Sequence, residues 1–144
     1  MTGTSEVASG TYAIAVTVPR PFGELLAATR DALAAQGFGV LTEIDMQATL
    51  KTKLGVDIAP QVILGACQPP LAHAALQAEP SIGLLLPCNV VIRTVDSDHT
   101  RVETIDPAIM VSVTGNPDLQ AVATEARTRL TAALHSLLQS PATC

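Results

Sequence analysis

The chain has 144 residues, 48 % hydrophobic and 15 % charged, with a net charge of −5. One domain of this length buries roughly two thirds of the surface its unfolded form exposes, which argues against intrinsic disorder and removes any need for disulfides or a structural metal. Six Arg and two Lys spread along an acidic chain form no phosphate-neutralising patch. No apolar run approaches the roughly 20 residues of a spanning helix, so the expectation is a cytoplasmic protein with no nucleic acid and no membrane as partner.

Residues 1–9 are small and polar and are expected to be flexible, as is the tail 140–144; the body is a single domain over 10–139. Tyr12, Ile14, Val16 and Val18 alternate with Thr11, Ala13, Ala15 and Thr17, the period of a half-buried strand, which ends at Pro19. Pro21 suits the first turn of the helix that follows. Its inner face carries Phe22, Leu25, Leu26, Thr29 and Leu33, and Gly37 is placed to end it in a left-handed cap. Phe38–Ile44 returns as a strand. Asp45 is suited to cap a short helix over 46–54 that Gly55 closes, and 60–64 is a third strand.

From there Gly65 and Pro69 are read as a turn leading into a helix over 70–78, stopped by Pro80. Residues 88–95 and 100–106 form an antiparallel hairpin across Asp96-Ser97-Asp98-His99. Asn116 as N-cap, Pro117 at the first helical position and Asp118 open a final helix. Its stripe is Leu119, Val122, Ala123, Ala126, Leu130, Ala133, Leu134 and Leu137. The sum is an α+β two-layer sandwich: one antiparallel-dominated or mixed sheet with helices packed on it.

No complete catalytic or cofactor signature is present, and no cofactor is specified; G-x-G-x-x-G, G-x-x-x-x-G-K and G-x-S-x-G are all missing. One locus stands out. Cys67 lies between a strand end and a Pro-Pro helix start, where free N–H groups and the helix dipole favour a thiolate. Cys88 follows Leu86-Pro87 at the start of the next strand; if those strands are neighbours, both thiols stand at one end of the sheet. His73, about a turn inside the helix, is a third soft ligand or proton partner, while Lys51 and Glu43 are weaker candidates for an anionic ligand or for assistance. Against these stand plain readings: a free Cys is usually a small buried hydrophobe, a lone His a surface residue, and lysines on a short helix a solvated face. The 21-residue spacing of Cys67 and Cys88 fits no zinc framework, and a reducing cytoplasm opposes a permanent disulfide.

Three ordered runs carry a resemblance: Gly39-Val40-Leu41-Thr42-Glu43-Ile44-Asp45 with Ala48-Thr49-Leu50-Lys51, Ile63-Leu64-Gly65-Ala66-Cys67-Gln68-Pro69 with Ala72-His73, and Gly83-Leu84-Leu85-Leu86-Pro87-Cys88-Asn89-Val90. Together they resemble the bacterial and archaeal family called domain of unknown function 302, over about 10–139. The resemblance implies a curved, mainly antiparallel sheet backed by helices, a homodimer, and no established activity. The family's Cys-x-Pro falls on Cys67 and Pro69 and its Leu-Pro-Cys on Pro87 and Cys88; Glu43 and Lys51 also fall on recurrent positions. Gln68 stands where Asn is expected, a departure that leaves the backbone role intact.

Three functions remain open at this point. The first is a binding protein that holds a soft metal, a sulfur species or a small ligand at Cys67 and Cys88. The second is a structural or interaction domain with both cysteines in the core. The third is a thiol enzyme using Cys67 with His73, Lys51 or Glu43 assisting.

Overall fold

The computed structural model describes residues 6–139; the expectations for residues 1–5 and 140–144, Cys144 included, lie outside the described residues. Six strands form one antiparallel sheet in the order β1-β2-β6-β5-β4-β3. They are β1 (Ala8–Ser9), β2 (Ala13–Val18), β3 (Gly39–Asp45), β4 (Gln61–Cys67), β5 (Cys88–Thr94) and β6 (Thr100–Ile105). The helices are α1 (Phe22–Ala35), α2 (Met46–Leu54), α3 (Pro69–Ala78), α4 (Ile109–Thr114) and α5 (Gln120–Ser136).

Strand alternation decides what the sheet can bury. Ile14, Val16 and Val18 of β2, Val62, Leu64 and Ala66 of β4, and Val90 and Ile92 of β5 share one face and meet Leu25 and Leu33 of α1 and Leu130 and Leu134 of α5 in the main core. Burying such side chains is worth about 1.5–3 kcal/mol each, which is what holds the two layers together. A second, smaller core joins Ala75 of α3, Ile82, Met110 of α4, and Leu119 and Ala123. Tyr12 is the exception to the first strand's pattern: it precedes β2 and is 63 % exposed.

The caps follow local chemistry. Asp45 Oδ1 accepts from the Ala48 N–H at 2.9 Å, and Gly55 closes α2 at φ +70°. Gly37, at φ +87°, ends α1, as only glycine does without cost. The final helix begins with a 3-10 turn, Pro117–Leu119. There Asn116 Oδ1 accepts from the Asp118 N–H at 2.9 Å while its Nδ2 donates to the Ala78 carbonyl at 3.0 Å, fastening the end of α3 to the start of α5.

Three features add to the sequence expectation or differ from it. A helix between two strands often signals a parallel crossover, but β3 and β4 pair antiparallel with α2 between them, in keeping with the antiparallel-dominated sheet expected. The true crossover is α1, which carries the chain from β2 to the far edge. Gly65 is not in a turn. The β4 ladder runs on through Ala66 opposite Cys88, and a Cβ at Gly65 would collide with the Thr42 hydroxyl and lie 2.9 Å from Pro87 Cγ. Glycine therefore lets the Pro87 ring lie on the strand. Finally, α4 has no forecast: six residues, four of them β-branched, offer no helical period to read. It is held by Asp106, which accepts from the Ala108 N–H at 3.0 Å and is paired with Arg127 of α5 at 3.1 Å.

Candidate functional site

Cys67 ends β4 and Cys88 opens β5. Because Ala66 faces Cys88 in the ladder, Cys67 stands one residue past that rung, at the same end of the sheet as Cys88. Both are unpaired thiols, Cys67 half-buried and Cys88 buried. They wall a single hollow of about 30 Å³ together with Phe38, Leu86, Met110 and Val122. That hollow lies at the seam between the main core, to which Ala66 and Cys88 belong, and the smaller core of Ala75 and Met110. Small residues at Ala66, Ala72, Ala75 and Ala126 leave the gap unfilled.

Two anchors hold this corner. Pro69 starts α3 immediately after Gln68. The Gln68 side chain donates to the Gln36 carbonyl at 3.1 Å, and Arg129 of α5 donates to the same oxygen at 3.2 Å. The carbonyl at the end of α1 thus ties β4 and α5 together beside Cys67. Pro87, which follows a cis peptide bond, rests over Gly65 and sets the entry of Cys88. Sequence reading treated Gln68 only as a departure from Asn; its longer side chain is what reaches Gln36.

Electrostatics separates Cys88 from an ordinary thiol. Burial, first, and the neighbouring Cys67 push its pKa up from 9.0 to about 11, since a thiolate in an aliphatic wall loses its hydration and meets a like charge. Cys88 is therefore fully protonated at neutral pH.

The other candidates stand apart. His73 is exposed on α3, whose inner face is Leu71, Ala72 and Ala75; at about 100° per residue, position 73 turns outward. Glu43 faces Leu64 and pairs with Arg30 of α1, three rungs along the ladder from the Gly39–Cys67 pair. Lys51 lies on α2 at the opposite end of β4 and pairs with Asp57 at 3.1 Å. None of these three lines the hollow beside Cys67 and Cys88. Among the described residues no group of three or more His, Cys, Asp or Glu side chains is placed to hold a metal ion. The residues missed are hydrophobic: Phe38 lies between α1 and β3, Met110 on α4 and Val122 on α5, and no local signal brings them together.

With this geometry in view, the matched family has a meaning for individual residues. A family model described as domain of unknown function DUF302 matches residues 14–137. The chain belongs to the DUF302 family. A crystal structure of an uncharacterized conserved DUF302 protein from Bacillus stearothermophilus is similar to it with a TM-score of 0.80 and 28 % identity, covering 87 % of this chain and 97 % of that one. A search of curated proteins returned no match. The DUF302 segment contains Cys67, Cys88, Gln68 and both prolines, so the whole corner belongs to the domain. The DUF302 fold is thus an open, six-stranded antiparallel sheet with helices packed on it. Among the described residues no helix is long and apolar enough to cross a membrane.

Proposed function

We propose that this DUF302 chain is a small binding protein that holds one soft ion, copper(I), between Cys67 and Cys88. The observation that carries the reading is the pair of free thiols walling one hollow of about 30 Å³. That space holds one water-sized particle and no organic molecule. Two thiol donors suit a soft ion of low coordination number, whereas structural zinc takes four ligands. Two unpaired neighbouring thiols also fit a reducing compartment such as the cytoplasm. Both sulfurs must lose protons to bind a metal, so the high pKa of Cys88 makes affinity rise with pH.

The test is anaerobic titration of copper(I) against a chromophoric chelator, in a Cys144→Ser background. One equivalent is expected, and Cys67→Ser or Cys88→Ser should each weaken it by about 100-fold or more, the upper range for losing even a supporting group of a metal site. Unchanged affinity in either variant, or no binding at all, removes the reading. One observation favours a second reading in which both cysteines only pack: Cys88 is 9 % exposed and belongs to the main core. Under it, Cys88→Ala costs about 1 kcal/mol, typical of a point substitution, and copper(I) leaves the melting temperature unmoved.

We also propose that the chain works as a homodimer through the edge of the sheet. β3 is an edge strand with a bulge at Leu41, and Leu41 and Ile44 are exposed there, with Leu54 and Val56 close behind in sequence. An unpaired, apolar strand edge is a template for a second strand. Light scattering should return twice the chain mass of 14.9 kDa, falling to the single mass in Ile44→Lys; a single mass for the unaltered chain excludes the dimer.

A further inference from the structure

A second hollow adjoins Cys88 without including Cys67. A groove of about 440 Å³ crosses the end of the sheet between the start of β2, the start of β5, the end of β6 and α4. Its size falls within the range of small-molecule sites, roughly 300–1,000 Å³. Leu84, Leu85, Ile105 and Ile109 give it an aliphatic wall.

Its charges are already spoken for. Two carboxylates stand in the wall, Glu103 and Asp106. Glu103 is held by Arg93 at 2.9 Å and by Arg101 at 3.1 Å, and Asp106 by Arg127 at 3.1 Å. No lysine or arginine stands among the described residues of the wall. An anion would therefore meet carboxylates and no cation of the lining. A cation would have to displace an arginine from an existing pair. Neither is favourable in a partly enclosed site, where unpaired charge is costly. Polar groups remain at Asn89 and Tyr12, both exposed along the groove, and they are neutral donors and acceptors.

We propose that this groove is a binding site for an uncharged, largely apolar small molecule that carries a single hydrogen-bonding group. The aliphatic wall takes the body of the molecule by burial, and Asn89 and Tyr12 orient its polar end. Leu86, Pro87, Cys88 and Met110 line both this groove and the smaller hollow, so a molecule in the groove rests against the outer side of the Cys88 wall. The site stands whether or not the thiols take an ion.

The experiment uses the metal-free full chain and the neutral dye Nile red, with fluorescence as the readout. Binding with a blue-shifted emission is expected. Ala13→Trp fills the groove, and Leu84→Glu places a charge on a rim residue that is 88 % exposed and so leaves folding untouched. Each should weaken dye binding by about tenfold or more, a change well outside the error of a titration. The anionic dye 1-anilinonaphthalene-8-sulfonate should compete poorly. Equal dye affinity in the unaltered chain and in Leu84→Glu overturns the proposal, as does tighter binding of the anionic dye at the same site. Loss of dye binding as the chain self-associates also overturns it, and assigns the groove to a second copy. Failure here leaves the copper(I) titration untouched, and failure of that titration leaves the dye result standing.

Discussion

Leu130→Ala is expected to destabilise the fold by about 2–5 kcal/mol, and Leu84→Ala by no more than about 0.5 kcal/mol. The chemical change is the same in both. Leu130 is 0 % exposed, on the inner stripe of α5, and packs in the main core with α1 and the sheet; Leu84 is 88 % exposed on a 3-10 turn. Removing three carbons from the first leaves a void that rigid neighbours on two layers cannot close, while the second removes atoms that water already surrounds. Urea midpoints with unchanged slopes provide the measurement. Equal effects at the two positions would mean that α5 does not lie on the sheet as described.

Stability is also expected to fall between pH 9 and 11 because of one thiol. The unfolded chain releases the Cys88 proton near the ordinary value of 9.0, whereas the folded chain keeps it until about 11. Across that window the folded state binds more protons, so raising the pH favours unfolding. The contribution is complete below pH 9. It declines by about 1.4 kcal/mol per pH unit and totals about 2–3 kcal/mol once both states are deprotonated. The decisive quantity is the difference in unfolding free energy between the unaltered chain and Cys88→Ala, followed from about pH 8 upward. That difference should shift steadily towards the variant. A difference that stays constant would show that the thiol titrates alike in both states.

Much of the architecture is written in local signals. The period of two in β2, Pro21 and Gly37 at the ends of α1, Asp45 and Gly55 around α2, and the long stripe of α5 each follow from geometry that a few residues impose on themselves. What escaped depends on distant partners. Antiparallel pairing of β3 with β4 is decided by the sheet as a whole, since α2 could equally have led to a parallel neighbour. Tyr12 continues an apolar alternation and yet is exposed, just before the strand begins. The α4 segment is too short to show a period and is stabilised by Asp106 and Arg127, 21 residues apart.

The site divides along the same line. The position of Cys67 before Pro69 and of Cys88 after Pro87 is visible in the chain, and the ladder brings both to one end of the sheet. In sequence His73 is the nearer partner and Lys51 and Glu43 the weaker ones; helix phase and strand length place all three outside the lining of the hollow. The shape of the hollow was not legible at all. It results from small side chains on three elements, β4, α3 and α5, and absence of volume leaves no mark on any single residue.

The place of β2 in the sheet has a consequence for synthesis. Its main partner is β6, with Ala13 opposite Ile105 and Val18 opposite Thr100, so β2 must wait for a strand made about ninety residues later. At roughly 5–20 residues per second on the ribosome, that wait lasts from about five seconds to nearly twenty. During it, Ile14, Val16 and Val18 are apolar and without their ladder, which makes this short stretch the segment of the nascent polypeptide that most needs shelter from aggregation.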